Sequence, residues 1–576
     1  MGGRMKDVVE IETDVLVIGG GFAGMWAAIA ARQAGQQVVL VEKAVAARSG
    51  PSSFMAGILL VCMPGDDKDG WFEEMVVGGE YLNDQEWVKI LLDESYERAV
   101  QVQEWARQYG RSVFETDASG AFLRKRARGH HNSAATIVQA RPFVDVLKRK
   151  AKELGVRLVE RVMVNDLLLV DGKVGGAFGF AYRTGESYLF RGKAVIVASG
   201  ATAFKGILMA VKNITGDGVA AAFRAGAVLQ NMEMFTCNTC SADYDTQGMN
   251  LMVAVGGEFV NGVGERFMQK YDPLLGNRAD LHQLTLAFSR EAMEGRGPVY
   301  LDATSASAAD RELCRRILPE TFETYDRIGY SPFDRPMKWV PGVRGHVANG
   351  GGIAISTKCE TNIPGLFAAG DAAFRASNGA GGGPNGKAVC FAVVSGHRAG
   401  RFAAEYASGQ SINLPRSDLL DGFGKARRSF VQPILRTSGT DPDRVIRELQ
   451  ELVTKCEVFY IKSEPRIEGV INSLCQMNTD LVPELWARDL HELVKANEVK
   501  NIMVVVEALF RSALARKECR GSHFLEEYPV TNNRDWLKHI LLQSDGQRMR
   551  VWTEPVPTPY LRPRGDFSTP AGIRRE

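Results

Sequence analysis

The feature that most constrains the fold is a glycine turn near the start of the chain. Residues 13–18 read Thr-Asp-Val-Leu-Val-Ile, which is typical of a buried parallel strand, and Gly19-x-Gly21-x-x-Gly24 opens a helix predicted over 22–35. A second strand is predicted over 38–41. Glycines at this spacing let the backbone approach a pyrophosphate at the N-terminus of the helix. The pattern therefore predicts a βαβ unit that binds a dinucleotide.

Glu42 ends the second predicted strand, where an acid would hydrogen-bond a ribose hydroxyl. This fingerprint alone does not distinguish NAD from FAD. A buried strand followed by glycine recurs at 194–200 and 366–371, whereas residues 241–341 show mixed loops and helices. We therefore expect a nucleotide domain interrupted by an insert.

Composition narrows the class of protein. The 576 residues are 45% hydrophobic and 24% charged, which predicts a folded chain of several units. The 70 basic and 68 acidic residues nearly balance, which argues against nucleic acid as the main partner. Nine widely spaced cysteines favour a reducing compartment, by default the cytoplasm. With neither a signal-peptide pattern nor a run of about 18 apolar residues, the sequence predicts a soluble or peripheral protein.

The pattern along the chain predicts four parts. They are a nucleotide-binding domain at 1–240 plus 342–410, an inserted domain at 241–341, a helical domain at 411–550, and an extended Pro-rich tail at 551–576; the resemblance described next implies that the first is FAD-binding and the insert a capping (substrate) domain.

Three stretches identify the family that the chain resembles. Val195–Gly200, Thr215–Gly218 and Pro364–Asp371 resemble the flavoprotein subunits of succinate dehydrogenase, fumarate reductase and adenylylsulfate reductase. Gly264–Met268, Glu294–Gly297 and Arg516–His523, followed by Trp536, recur in the same order, so the resemblance covers nearly the whole chain. It implies an α/β fold: a Rossmann-type FAD-binding domain with an inserted α+β capping domain and a C-terminal helical domain.

The resemblance also implies the cofactor and its mode of binding. Asp371 would contact the FAD ribityl chain, and the Gly379–Gly386 loop would place the following helix against the flavin pyrimidine. Many relatives attach FAD through the His of an Arg-Ser-His-Thr stretch, but this chain reads Arg48-Ser49-Gly50-Pro51, so we expect noncovalent FAD. The same Arg-Ser-Gly occurs in the adenylylsulfate reductase branch, which is the expected nearest branch. The FAD-binding candidates are Gly19, Gly21, Gly24, Glu42, Lys43, Arg48, Ser49, Gly50, Ala198, Ser199, Gly200, Asp217, Gly370, Asp371 and Asn385.

The substrate side departs from the family pattern, in which two His and two Arg hold two carboxylates. One family His aligns with Asn238, and one Arg falls within the Gly381–Gly383 loop. The Arg that moves the proton falls on Leu281 or on Thr285, depending on the anchor used. The second His aligns with Val347, beside His346.

The remaining polar groups supply the catalytic candidates, which are His282, Arg344, His346 and Asn238. Arg124-Lys125-Arg126 and Arg128 are a candidate lid for an anionic substrate; the alternatives are a solvated basic surface and structural histidines. Cys237-x-x-Cys240 is either a dithiol near the flavin or a coincidence. The cysteines show no spacing that holds an iron–sulfur cluster, so any cluster would belong to a partner.

The leading hypothesis is an FAD-dependent oxidoreductase subunit that performs two-electron chemistry on a small anionic substrate at flavin N5. It would exchange electrons with a ferredoxin-like iron–sulfur subunit, through which it could lie at the membrane surface. One alternative is a self-contained enoate reductase or oxidase of the aspartate oxidase kind. The other is a noncatalytic electron-transfer flavoprotein.

Overall fold

The computed structural model describes residues 8–55, 57–206, 211–237, 239–246, 248–340, 347–410, 416–546 and 548–568. The strands of these segments are β1 Val8–Ile18, β2 Val38–Glu42, β3 Ile58–Leu60, β4 Arg124–Lys125, β5 Ala135–Ile137, β6 Arg157–Glu160, β7 Val162–Val170, β8 Lys173–Ala181, β9 Ser187–Val197, β10 Leu229–Gln230, β11 Phe235–Cys237, β12 Cys240–Ser241, β13 Glu258–Val260, β14 Val299–Asp302, β15 Met337–Val340, β16 Val347–Asn349, β17 Gly352–Ile353, β18 Leu366–Ala368, β19 Ile461–Lys462, β20 Phe524–Leu525, β21 Thr531–Asn532, β22 Lys538–Ser544, β23 Met549–Pro555 and β24 Phe567–Ser568.

The α-helices of the same segments surround these strands. They are α1 Phe22–Gln33, α2 Lys68–Gly78, α3 Gln85–Gln108, α4 Ala140–Glu153, α5 Asp217–Arg224, α6 Met249–Ala254, α7 Met268–Tyr271, α8 Leu281–Met293, α9 Ala308–Ile317, α10 Pro319–Ile328, α11 Lys387–Ser408, α12 Arg416–Leu435, α13 Pro442–Val453, α14 Cys456–Phe459, α15 Glu464–Asp480, α16 Leu490–Ala515 and α17 Asn533–Trp536.

The predicted βαβ unit is confirmed as β1, α1 and β2. It lies in a twisted sheet of order β6-β2-β1-β9-β8-β7, in which β6, β2, β1 and β9 are parallel and β8 and β7 form an antiparallel hairpin. β18 adds a further parallel strand against β9, so the chain returns to this sheet after the insert. The carboxyl ends of β1, β2, β9 and β18 therefore meet at one edge, which is where such folds bind ligands.

Small residues bring helix α11 unusually close to helix α1. A Cβ added at Gly396 would lie 2.4 Å from the carbonyl oxygen of Ala23, and one at Gly400 would lie 2.2 Å from that of Ala27. Only glycine permits this approach of two backbones. The contact fixes α11, whose N-terminus follows the Gly379–Gly386 loop, against the first helix of the βαβ unit.

Residues 241–340 form an antiparallel sheet of order β12-β15-β14-β13 with helices α6 to α10 around it. Its strands share their own buried cluster, which includes Phe259, Leu301 and Trp339. Helix α8 begins at the N-cap Asp280, whose side chain forms a capping box with Gln283. This cap fixes the position of His282 in the first turn.

The C-terminal part is less helical than the sequence predicts. Helices α12, α13, α15 and α16 are present, but residues 538–544 form a strand and not a helix, and residues 549–555 form another. β22 lies between β10 and β23, pairing Leu229 with Leu542. The C-terminal helical domain is confirmed, but helical structure to about residue 544 is not, because the strand that pairs with 538–544 is about 310 residues earlier in sequence and leaves no local signal.

The predicted extended tail also begins later than residue 551, because 549–555 are paired in β23. Beyond it the tail lies along the start of α3, where Gln85 Nε2 donates to the Leu561 carbonyl at 2.7 Å and Tyr560 stacks under the Lys89 ammonium, 3.1 Å from its ring centroid. Among the described helices, none is long and apolar enough to cross a membrane.

Candidate functional site

The glycine turn after β1 requires glycine at two positions. Gly19 has a φ of +111°, and a Cβ there would lie 2.3 Å from the Ala198 carbonyl oxygen. A Cβ on Gly24 would lie 1.8 Å from the Gly19 carbonyl oxygen. The backbones of the turn, of helix α1 and of the end of β9 therefore pack directly on one another, which leaves an open cleft in front of the turn.

This cleft lies at the carboxyl edge of the parallel sheet. The Ser199 hydroxyl is buried there and has no hydrogen-bond partner among the described residues, as expected of a site that a polar ligand completes. The predicted cofactor residues that line the cleft are Gly19, Gly21, Glu42, Lys43, Arg48, Ser49, Gly50, Ala198, Ser199, Gly200, Asp217, Gly370 and Asp371.

Two predicted cofactor residues lie elsewhere. Gly24 is behind the turn, where it provides close packing. Asn385 lies beside α11, where its carbonyl accepts from His130 Nε2 at 3.0 Å and its side-chain oxygen accepts from Gly386 N–H at 2.9 Å. The Asn385 amide nitrogen is buried without a partner among the described residues. We therefore expect Asn385 to act at the N-terminus of α11 and not in the cleft.

Glu42 is positioned at the cleft by backbone donors. One of its carboxylate oxygens accepts from Gly20 N–H at 2.7 Å and the other from Ala44 N–H at 2.9 Å. These contacts fix the carboxylate at the end of β2, beside the glycine turn. This is the position from which the fingerprint expects an acid to reach a ribose.

Lys43 is held by carboxylates. Its Nζ lies 2.7 Å from Asp217 and 2.9 Å from Glu498, and it donates to the Thr215 hydroxyl at 2.8 Å. Burial alone would lower the pKa of Lys43, but the charges of Asp217 and Glu498 outweigh it and raise the pKa. The ammonium is therefore bound within the protein and ties α16 to the floor of the cleft.

Three of the four candidate lid cations contact other side chains. Arg124 makes a two-point contact with Asp66 at 2.8 and 3.0 Å, and Lys125 lies 3.1 Å from Asp310. Arg128 is buried and donates to Asn250 at 3.1 Å. These side chains hold loops together, and the geometry gives no support to a lid that they form.

A second, small cavity lies beneath the Gly381–Gly383 loop. Leu281 and Thr285, the two positions to which the sequence assigns the family's proton-moving Arg, line this cavity together with His282. An Arg side chain at either position would extend into the same space. We call it the His282 cavity; its lining residues are Phe235, Leu281, His282, Thr285, Leu286, Gly381, Tyr460, Gly521, Ser522 and Phe524.

The structure brings only one predicted catalytic residue into this cavity. His282 lies there with 5% of its side chain exposed, and neither ring nitrogen has a hydrogen-bond partner among the described residues. Asn238, Arg344 and His346 lie outside the described residues. Sequence reasoning missed Glu80, a carboxylate 3.8 Å from His282, because nothing in its local pattern marks it.

The Arg516–His523 segment forms a buried ionic network. Arg516 donates to Glu233 and to Glu518, each at 2.8 Å, and Arg520 donates to Glu518 at 2.7 and 2.9 Å. All four side chains are fully buried, and two positive charges balance two negative ones. The network joins the segment to the loop after β10 and stands beside the His282 cavity.

The cysteine pair does not present a reactive thiol at Cys240. That thiol is buried, and burial raises its pKa to about 12, so it is protonated at neutral pH. The side chain of Cys237 lies outside the described residues. The dithiol hypothesis thus receives no support from Cys240.

Comparison with known proteins places the chain in a family. The model for an FAD-binding domain matches residues 14–385, and the model for the fumarate reductase flavoprotein C-terminus matches residues 483–567. The chain belongs to the FAD-dependent oxidoreductase family of succinate dehydrogenase and fumarate reductase flavoproteins. FAD is its cofactor, as expected from the sequence.

Relatives of this chain match along its whole length. One subunit of the fumarate reductase (CoM/CoB) of Methanothermobacter marburgensis is 30% identical, covering 92% of this chain and 97% of that protein. A fumarate reductase flavoprotein subunit of Mycobacterium tuberculosis is 28% identical, covering 94% and 97%.

Solved structures share the fold. An E. coli quinol fumarate reductase chain superimposes with a TM-score of 0.86 at 22% identity, covering 97% of this chain and 99% of that one. Adenylylsulfate reductase from Archaeoglobus fulgidus gives 0.79 at 20% identity, covering 96% and 97%. These matches confirm the predicted fold class.

Proposed function

We propose that this chain is the FAD-binding subunit of an enzyme that performs a two-electron reduction or dehydrogenation of a small anionic substrate in the His282 cavity. Bound FAD supplies hydride exchange at N5. The observation that carries the proposal is the cavity itself. It lies at the positions of the family's acid–base Arg, under the loop that leads into α11, and contains an imidazole with two free nitrogens.

His282 is suited to the proton half of the reaction. Histidine is the side chain best matched to acid–base chemistry near neutral pH, and His282 is the one histidine among the described residues of the cavity wall. The aromatic residues Phe235 and Phe524 exclude water around it. A proton held at an imidazole nitrogen can thus be given to a substrate carbon without competition from bulk solvent.

Recognition of the substrate's charge needs a second segment. Among the described residues that line the cavity there is no Arg or Lys, and the Lys462 ammonium lies behind the wall, 5.0 Å from the centroid of the Phe235 ring. We propose that Arg344 and His346 supply the contact. Val347, the residue after His346, pairs with Cys237 in β11, the strand that contains Phe235.

The test is a panel of acceptors offered to the dye-reduced holoenzyme: fumarate, adenylyl sulfate and crotonate, with succinate offered to the oxidised form. We expect an anion to be turned over, and Arg344→Gln to raise its KM more than it lowers kcat, because charge recognition acts mainly on binding. The exposed Arg335→Gln is the control. Rapid peroxide formation without turnover of any of these anions would contradict the proposal and favour an oxidase.

We also propose that electrons are exchanged with an iron–sulfur partner. This proposal is supported by the similarity of the chain to proteins that are named as subunits of larger enzymes. The isolated chain should contain one FAD and essentially no iron, whereas the complex purified from its native source should show the paramagnetic resonance of a reduced cluster. Stoichiometric iron in the isolated chain would refute this arrangement.

A further inference from the structure

Glu80 and His282 stand between two pockets that are on opposite sides of the Gly381–Gly383 loop. His282 lines the enclosed cavity already described. Glu80 lines a surface cleft, the Glu80 cleft, which is open to solvent and is also bordered by Asp280, Arg520 and the tail residue Arg564. The nearest approach of the two side chains is 3.8 Å, from a Glu80 oxygen to His282 Nε2. A buried carboxyl and a buried imidazole thus lie between the open cleft and the cavity.

Both groups lack the partners that a structural role would give them. Neither carboxylate oxygen of Glu80 and neither nitrogen of His282 forms a hydrogen bond with a described residue, although the side chains are only 13% and 5% exposed. The backbone N–H of Gly521 faces the carboxylate but does not complete a normal hydrogen bond. Buried polar groups without partners are costly and are uncommon outside functional sites.

Arg520 lies close to Glu80 but forms its ion pair with a different carboxylate. Arg520 donates twice to the Glu518 carboxylate and, at 2.6 Å, to the backbone carbonyl of Glu80, but it makes no hydrogen bond to the Glu80 side chain. Glu518 and Glu233 are each ion-paired with an arginine within the same region. The Arg520 guanidinium therefore binds the backbone of Glu80 and leaves its carboxyl group without a hydrogen bond from this residue.

The backbone at this position is strained. Glu80 has a φ of +48° and Tyr81 one of +59°, a left-handed pair that non-glycine residues rarely adopt. Gly78 and Gly79 immediately precede them, so glycine is common in this turn, yet position 80 carries a long acidic side chain. Strain of this kind persists where the side chain is needed in one place.

We propose that Glu80 and His282 form a proton relay from the Glu80 cleft to a substrate in the His282 cavity. The inference rests on the proposed function. In the reducing direction a hydride adds to one carbon of the substrate double bond, and the neutral imidazole, protonated at Nδ1, gives that proton to the other carbon as its free Nε2 takes the proton of the Glu80 carboxylic acid. The Glu80 carboxylate then takes a proton from water, and exchange of the ring proton with water restores the Nδ1–H tautomer. Each two-electron turnover thus consumes one solvent proton, and dehydrogenation reverses the sequence.

The surroundings of Glu80 favour its neutral form relative to an exposed glutamate. Burial raises its pKa, while His282 on α8 and Arg520 favour the charged form and Glu518 opposes it. Asp280, the N-cap of α8, also faces this region through the Glu80 cleft. A carboxyl that remains protonated above the range of an exposed glutamate is a suitable donor to an imidazole. The gap of 3.8 Å would close by a small side-chain rotation or one bridging water.

The first test measures the protonation of Glu80 in the absence of catalytic turnover. Infrared titration of the holoenzyme should show a buried carboxylic-acid band that Glu80→Gln removes and that the exposed Glu73→Gln leaves unchanged. His282→Gln should move its midpoint to higher pH, because the imidazolium no longer favours the carboxylate. A band that does not respond to His282→Gln, or no Glu80-dependent band, would overturn the relay whatever the substrate is.

The second test uses fumarate as the probe acceptor for the dye-reduced holoenzyme. We expect Glu80→Gln to lower kcat about 10²-fold with little change in KM, and His282→Gln to add little to it in the double variant. Glu80→Gly adopts the left-handed backbone without strain, and formate entering the open cleft should restore part of its rate. Unchanged kcat in both single variants, or equal losses without formate rescue, would overturn the relay. If fumarate is not reduced, the anion of the panel that is turned over becomes the probe; if none is turned over, the proposed function is at fault, and the infrared result decides the relay alone.

Discussion

Lys43→Met tests how the C-terminal helices are joined to the cofactor cleft. The substitution removes the ammonium that bridges Asp217 on α5 and Glu498 on α16 and leaves both carboxylates in place. Two negative charges then remain in a region where these side chains are only 11% and 5% exposed. We expect α16 to separate from the cleft more readily.

The size of the effect follows from the partners that remain. Removing one member of a buried ion pair costs about 3–5 kcal/mol. Glu498 keeps Lys205 at 2.5 Å, and Asp217 keeps the Asn501 amide at 2.9 Å. The loss should therefore be near the lower limit, about 3 kcal/mol, which corresponds to exchange of protected amides roughly 100-fold faster.

The assay is hydrogen–deuterium exchange with FAD in excess. Lys43→Met should accelerate exchange in residues 490–515, and adding Asp217→Asn should recover part of the protection, because Asp217 is the carboxylate that loses its cationic partner. The control is Lys68→Met, since Lys68 and Asp93 form an ion pair at 2.6 Å that is 54% and 57% exposed and should contribute at most about 1 kcal/mol. A change of less than about threefold in Lys43→Met would refute the reasoning.

Three further predictions follow from the cleft and from helix α11. Gly19→Ala should lower FAD affinity more than about 100-fold in a fluorescence titration, because its Cβ would meet the Ala198 carbonyl at 2.3 Å. The control is Gly35→Ala, which has the same left-handed backbone strain but no atom within 4 Å of its Cβ and should bind FAD normally. Acid precipitation should leave the flavin in the supernatant, since Gly50 provides no imidazole for a covalent bond; a yellow pellet would contradict this. Burial lowers the pKa of Lys387 from 10.5 to about 7, so the fold loses stability as the pH falls through this interval. Between about pH 10 and pH 6, the free energy of unfolding of Lys387→Met, measured in urea, should therefore rise by roughly 4 kcal/mol relative to that of the natural protein. A difference that stays constant with pH would mean that the amine is charged in the fold.

The cofactor cleft could be predicted because its determinants are local. Gly19, Gly24 and Glu42 lie within one βαβ unit, and each acts on backbone that is near in sequence or on the adjacent strand. A short spacing pattern therefore specifies the turn, the helix start and the acid together. The role of Lys43 was not predictable in the same way, because its partner Glu498 is about 450 residues distant.

The His282 cavity could be predicted only in part. The family pattern marked position 281 or 285, and both line the cavity, but the aromatic wall comes from residues 235, 460 and 524, which no periodic pattern connects. Glu80 gave no signal, because an acid after two glycines reads as an ordinary solvated turn. Its importance appears only when α8 and the Gly381–Gly383 loop are placed over it.

Replacement of the family's Arg by Leu281 or Thr285 separates two tasks that a guanidinium would combine. An arginine in this cavity would both attract an anion and carry a proton. The described wall instead contains a neutral lining with His282, which can carry a proton but supplies no fixed charge. Charge recognition must then come from another segment, and proton supply must reach His282 from a group on its far side. Glu80 is the described carboxyl at that position, so under the proposed function the loss of one residue would account both for the proposed contact from Arg344 and for the unpaired acid behind the cavity.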